Sequence, residues 1–211
     1  MDLGFDESQQ LLKNSARRFL EQECPVNLVR AMEDDEWGYD QDLWRKIADL
    51  GWLGLAIPES YGGMGLTYFD LVLILEEMGR GLVPGPFFST VVLAGMTILQ
   101  AGSEAQKQKW LPQIASGDAM ATLALTEPSA TYSPSGVQAT ATREKSHFTI
   151  NGMKLFVPDA QVADTLIVAA RTMKTGDPVQ GITLFLLDSR TPGITITPLK
   201  TIADDKQAAI E

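Results

Sequence analysis

The sequence predicts an α+β protein, an N-terminal all-α helical domain followed by an antiparallel β-barrel-like domain. Three observations predict it. Up to residue 118 apolar side chains recur three and four apart, the spacing that lines one face of a helix. Beyond Asp118 the apolar period falls to two, as in a half-buried strand. Asn151-Gly152 then separates two short apolar runs, as the two-residue loop of a hairpin does. The expected domains are residues 1–118 and 119–211, the second cut short at its C-terminal end.

The first predicted helix carries Leu11, Leu12, Ala16, Phe19 and Leu20 on one face, with Lys13, Asn14, Arg17 and Arg18 largely off it. Asp6 with Gln9 three residues on is its opening signature, and Pro25 stops it just after Cys24. A second helix runs from about Asp40 to Leu50, burying Leu43, Ile47 and Leu50 and closing at Gly51. Thr67 with Asp70 opens another over the apolar run 71–75, which ends near Gly79 and Gly81 and is expected to be buried on most sides. The most apolar stretch, Leu82 to Leu99, is interrupted by Pro84, Gly85, Pro86 and Ser89. It barely reaches the ~18 residues of a membrane span and reads as a buried helix. Ser103 with Gln106 caps a last segment, where Trp110, Leu111 and Ile114 form a stripe before Gly117. In the second half Val137, Ala139 and Ala141 alternate with polar residues, and the runs 147–150 and 153–157 flank the hairpin signal. Further β-branched runs at 165–170, 182–187 and 194–197 extend the sheet.

A chain of 211 residues that is 45% apolar and 21% charged supports a packed core. Its net charge is −10 and its 17 Lys and Arg are scattered, which argues against a nucleic-acid partner. An anionic ligand is still admissible, because backbone N–H groups and a few local cations set the field at a site. One cysteine (Cys24) and one histidine (His147) leave no internal disulfide and no His/Cys metal cluster, so no metal is expected and a cytoplasmic location fits. The N-terminus lacks the positive charge and apolar run of a signal peptide. No Gly-rich phosphate fingerprint follows a strand, which disfavours nicotinamide-binding and kinase folds. Cys24 reads as a small buried residue, His147 as a surface strand residue, and the acidic run 33–36 as a solvated helix end. The closing Ala208-Ala209-Ile210-Glu211 reads as the start of a strand, so a fragment is expected.

Four segments in order carry a resemblance: Pro58-Glu59-Ser60-Tyr61-Gly62-Gly63-Met64-Gly65, Gln106-Lys107-Gln108-Lys109-Trp110-Leu111-Pro112, Leu125-Thr126-Glu127-Pro128 and Ile150-Asn151-Gly152-Met153-Lys154. In this series the chain resembles the acyl-CoA dehydrogenase family. The resemblance implies a three-part subunit with FAD held between the β-domain and a C-terminal helical bundle. A carboxylate of that bundle removes the α-proton of an acyl-CoA thioester while the β-hydrogen leaves as hydride to flavin N5. No catalytic residue is therefore expected in this chain; the base is expected beyond Glu211, and these 211 residues alone are expected to be inactive. The implied partners are the acyl-CoA thioester, an electron-transfer acceptor of the flavoprotein type, and further subunits in a homo- or hetero-oligomer.

Removing a proton beside a thioester carbonyl develops enolate charge, which positioned donors must stabilise while a nearby carboxylate acts as base. Donors at the flavin's pyrimidine edge raise its electron affinity. By resemblance Thr126, through its N–H and hydroxyl, and Leu125, through its backbone, stand at that edge; the alternative is a strand-end threonine before a Glu-Pro turn. Glu127 reads as a structural carboxylate. Phe156 stands where the family often has tryptophan, and packs either beside the isoalloxazine ring or in the core. Val157 and Pro158 complete the cofactor-binding expectation. Helices between Thr67 and Leu99 border the acyl pocket by resemblance, with Phe87 and Phe88 as walls or, alternatively, as core.

Two departures matter. After the Glu-Pro turn the family has a Gly-Ala-Gly-Ser-Asp segment that approaches phosphates, whereas this chain has Ser129-Ala130-Thr131-Tyr132-Ser133, then Pro134. Hydroxyls of Ser129, Thr131 and Ser133 are the phosphate-binding candidates here, but without the glycines positive φ is restricted. Where the family has a threonine for flavin N5, Pro158 has no N–H to give, which leaves the Val157 N–H or a group elsewhere. Three functions follow as expectations: FAD-dependent α,β-dehydrogenation of an acyl-CoA; a non-catalytic, flavin-poor partner subunit of a heteromeric dehydrogenase; and a flavin monooxygenase or oxidase on the same scaffold.

Overall fold

The computed structural model describes residues 4–145, 147–173 and 175–211. Two compact units form, one from the residues through Phe87 together with Gly95–Ala119, the other from Phe88–Ala94 with Met120–Glu211.

The first unit is helical. Helix α1 (Glu7–Glu23) opens on a reciprocal cap in which Asp6 Oδ1 accepts from Gln9 N at 2.8 Å and Gln9 Oε1 accepts from Asp6 N at 3.1 Å. After α2 (Val26–Asp34), α3 (Gln41–Asp49) starts on Asp40, which accepts from Leu43 N, and stops where Gly51 turns to φ +75°. Leu43 and Ile47 are buried as expected, but Leu50, the cap residue just before the Gly51 turn, is 45% exposed. Helix α4 (Tyr68–Gly81) has the predicted Thr67/Asp70 box and packs along α1. It buries Leu71, Leu73, Ile74 and Met78 but leaves Tyr68, Phe69 and Val72 exposed, so it is amphipathic rather than buried on most sides. Between α1 and α4 the buried Glu77 takes bonds from Arg17 and Arg80 at 2.7–3.0 Å, which holds its carboxyl near 2, far below the usual value. Helices α5 (Met96–Ala101) and α6 (Glu104–Ser116) close the unit, and Trp44 Nε1 donates to Gly117 O at 3.0 Å. In the 58–65 motif, a Cβ on Gly63 would lie 2.0 Å from Ile57 O, so only glycine lets that turn fold back on residues 54–57.

The second unit is built on β5 (Thr165–Arg171), which is buried along nearly its whole length. Strand β6 (Ile182–Asp188) runs antiparallel along one edge of it over all seven residues. The other edge is shared: β1 (Ala121–Ala124) pairs in parallel with 165–168, and β2 (Thr140–Glu144) takes over in parallel at Arg171, with β3 (His147–Asn151) antiparallel outside β2. A second sheet orders β4 (Lys154–Pro158), β8 (Gln207–Ile210) and β7 (Ile196–Leu199), all antiparallel. Between the sheets lie Ala124, Val157, Leu166, Val168, Ala208 and Ile210, each larger aliphatic contributing about 1.5–3 kcal/mol by burial. The segment Phe88–Ala94, expected as part of a buried helix of the first half, belongs to this unit as a wide-turn helix; its Thr90 Oγ1 accepts from Ala121 N at 3.2 Å.

Two expectations are corrected. The β region is a pair of mixed and antiparallel open sheets, not an antiparallel barrel: the 40-residue path from β1 to β5 is long enough for a parallel crossover. Asn151-Gly152 does not turn a hairpin. β3 pairs with β2 and β4 with β8, so the glycine carries the chain from one sheet to the other. A Cβ there would sit 2.5 Å from Ala139 Cβ, and this close passage explains the glycine. Among the described residues no helix is long and apolar enough to cross a membrane.

Candidate functional site

Where β1 ends and β2 has not begun, the edge of β5 is vacated and residues 125–139 swing out of the sheet. That excursion starts with the Leu-Thr-Glu-Pro segment. Its root is held by β4: Leu155 N donates to Thr126 O at 2.9 Å, and Lys154 Nζ donates to Glu127 Oε1 at 2.6 Å and to Leu125 O at 3.3 Å. Glu127 is 4% exposed and also accepts from Gln138 N at 2.7 Å and Ala139 N at 3.0 Å, which ties both ends of the excursion together. It is fully engaged as a structural carboxylate. Burial pushes the Lys154 ammonium pKa down, an effect opposed by the bond and charge of Glu127.

Leu125 is half-exposed, and among the described residues the Thr126 hydroxyl has no hydrogen-bond partner. Beside them β4 bulges. Lys154 pairs with Ile210 and Val157 with Ala208, so Leu155 and Phe156 together face one residue of β8. Phe156 takes φ +54°, a strained value for a side chain of this size, and is 51% exposed instead of packed in the core.

Val157 is buried. Asp159 N donates to Lys206 O at 2.8 Å, and Val157 opposite Ala208 has the same parity, so its N–H belongs to the ladder. Pro158 takes the alternate position, where its nitrogen faces away from β8 and no ladder bond is lost, while its carbonyl accepts from Thr122 Oγ1 at 2.7 Å. In that register the Val157 N–H faces β8. Asp159, at φ +53°, accepts from the buried Ser89 hydroxyl at 2.5 Å. Burial raises its pKa to about 6, with the Ser89 bond opposing and Asp205 adding.

Ser129, Thr131 and Ser133 are all exposed on the excursion. Ser133 N donates to Thr131 Oγ1 at 3.2 Å, and Ser133 Oγ lies 2.8 Å from Ser135 Oγ. Ala130 adopts φ +52° without a glycine's freedom, so this loop carries local strain. Arg171 pins it: its guanidinium donates to Val137 O at 2.6 Å and Pro134 O at 3.3 Å, and to Pro178 O at 2.6 Å and Gln180 O at 3.0 Å on a second loop. Between the loops a groove of about 560 Å³ is lined by Thr140, Thr142, Arg143, Arg171, Thr172 and Thr175, among others. Sequence reasoning gave Lys154, Arg143 and Arg171 no role. A charged residue ending the apolar run 165–170 is the signal that could have drawn attention to Arg171. Among the described residues no cluster of His, Cys, Asp or Glu could hold a metal.

The donor set fits one part of a flavin and not another. An exposed aromatic face next to an unpartnered hydroxyl suits the ring and its pyrimidine edge. At the position expected to face N5, Pro158 offers no donor and Val157 is committed to β8.

Residues 6–118 match the family description "Acyl-CoA dehydrogenase, N-terminal domain" and residues 122–210 match "Acyl-CoA dehydrogenase, middle domain". The mitochondrial isovaleryl-CoA dehydrogenase of Pongo abelii is 31% identical over 195 residues, covering 91% of this chain and 46% of that protein. The ChsE4-ChsE5 complex from Mycobacterium tuberculosis superposes with a TM-score of 0.87 at 28% identity, over 100% of this chain and 55% of that one. A glutaryl-CoA dehydrogenase from Mycobacterium smegmatis in complex with FADH2 gives a TM-score of 0.83 at 27% identity, over 98% and 52%. The chain belongs to the acyl-CoA dehydrogenase family. It spans about half the length of the relatives it matches.

Proposed function

We propose that these residues supply the helical and middle β parts of an FAD-dependent acyl-CoA dehydrogenase, with the boundary near Asp118 and the α-proton-abstracting carboxylate contributed from outside residues 1–211. The observation that carries this reading is the half-exposed Phe156 on a strained bulge beside Thr126, whose hydroxyl has no partner among the described residues. FAD, when bound, supplies the hydride acceptor. Thr126 orients the pyrimidine edge through its hydroxyl, Leu125 flanks it, and Phe156 covers one ring face and excludes water. Ser129, Thr131 and Ser133 on the excursion, and Arg143 in the groove, meet the phosphates of FAD or of the acyl-CoA thioester. A flavoprotein-type electron acceptor, an oligomeric state and a cytoplasmic setting complete the proposal, the last motivated by the single cysteine. FAD titration followed by visible absorbance, then acyl-CoA-dependent reduction of an artificial acceptor, tests it. A yellow protein is the expected result; a colourless one that resists FAD refutes it, and turnover by these 211 residues alone refutes the placement of the base.

One observation favours a second reading, a flavin-poor partner subunit of a heteromeric dehydrogenase. Pro158 leaves the N5 position without a donor, and one structural neighbour is a complex of two named components. Absence of FAD uptake by the intact protein, together with co-purification of a yellow family member, is the result this reading expects.

A further inference from the structure

One side chain grips the residues on both sides of Thr126. Lys154 Nζ bonds the carbonyl of Leu125 before it and the carboxylate of Glu127 after it, while Leu155 N takes the Thr126 carbonyl itself. The ion pair is enclosed, with side chains 3% and 4% exposed. Stability alone is a poor reason for it, since an apolar pair of similar volume is often as good or better in such a place. What an apolar pair lacks is direction. Three donors on one ammonium, of which two are fixed on residues 125 and 127, leave the backbone at 126 little rotation, so the hydroxyl keeps one aim. The same lysine is the last residue in register with β8 before the bulge that exposes Phe156, so one residue anchors both walls of the cradle.

We infer that Lys154, with Glu127 as its counter-ion, is a positioning residue that aims Thr126 at the flavin. The inference rests on the reading of residues 125–126 and 156 as a flavin cradle, and goes beyond it by naming what sets the geometry. Removing one charge alone would strand the other in the interior, so the informative variant removes both, Lys154→Met with Glu127→Gln; the introduced amide keeps an oxygen for Ala139 N.

The test is a thermodynamic cycle on FAD affinity in the intact protein, read by flavin fluorescence, with the thermal midpoint measured alongside. The charge-free pair is expected to hold its midpoint within a few degrees and to bind FAD about tenfold more weakly, a loss of about one net hydrogen bond. Thr126→Val is expected to weaken binding about as much, and the triple variant no further than Thr126→Val alone, because Lys154 acts through Thr126. Unchanged affinity in the charge-free pair, or losses that multiply in the triple variant, would overturn the inference. Should the charge-free pair fail to fold, Lys154→Arg, which keeps the charge beside Glu127 but changes its reach, closes the same cycle with Thr126→Val, read the same way. A parent protein that takes up no FAD sinks the cradle reading, and this inference with it, before any variant is made.

Discussion

Replacing Arg171 with methionine should loosen two loops at once. The guanidinium reaches four carbonyls, two on the hydroxyl-bearing excursion and two on the loop after β5, at 2.6–3.3 Å. Only the bond to Val137 is partly buried; the other three are exposed to water that can replace them. Counting the first at about 1.5 kcal/mol and the others at a few tenths each gives a loss of about 2 kcal/mol in closing the loops. That is roughly a thirtyfold rise in the open population. Arg171→Lys keeps the charge but can satisfy fewer of the four carbonyls at once, so it should fall between. Limited proteolysis, scored for nicking within 129–137 and 175–181, reads the open population directly when reclosing is fast. Equal nicking rates for the parent and Arg171→Met would refute the reasoning and leave the groove without its clamp.

Glu77→Gln should destabilise the helical unit by about 3 kcal/mol, since it removes the carboxylate that two arginines share, and urea unfolding of the variant checks it. Because the folded pKa of Glu77 is about 2 against an ordinary 4.5, its contribution is complete above 4.5 and fades as pH falls toward 2, so helical signal followed by circular dichroism should be lost over that window in the parent and show less dependence on it in the variant. Asp159 has the opposite sign: its acid is raised to about 6 from 3.8, so the unfolded chain releases the proton first and stability falls as pH rises through that interval. Asp159→Asn should abolish this slope, because an amide oxygen still accepts from Ser89; a pH series of thermal midpoints decides it. Gly152→Ala should cost about 1–3 kcal/mol in urea unfolding, because its Cβ would meet Ala139 Cβ at 2.5 Å in a crossing with no room to relax.

Much of the helical half could be read from local chemistry. The caps at Asp6, Asp40, Thr67 and Ser103 and the stops at Gly51 and Gly117 follow from backbone groups that must be satisfied within a few residues, so they show in the sequence. Leu50 misled because a leucine at the helix cap keeps the apolar period although no element covers it there. In the β half the local signal failed where pairing is non-local. Asn151-Gly152 has the composition of a hairpin loop, but its glycine answers to Ala139, thirteen residues earlier, and only the folded register shows that. Antiparallel pairing was expected throughout because short strands with turn residues between them suggest it, whereas the length of the path from β1 to β5 allowed a parallel crossover.

The site divides along the same line. Motif resemblance drew attention to Thr126 and Phe156, but the exposure of Phe156 depends on a bulge set by pairing with β8, fifty residues downstream. Lys154 stood in a quoted motif without a role, because its partners Leu125 and Glu127 are brought to it only by folding.

The central claim is where the flavin ring lies. In backbone amide spectra of the isotopically labelled protein titrated with FAD, the largest shifts should fall on Leu125, Thr126, Leu155, Phe156 and Val157, with the 129–133 loop responding to the phosphates and the 58–65 turn silent. Shifts clustered away from those five residues, or spectra unmoved at saturating FAD, would contradict the account.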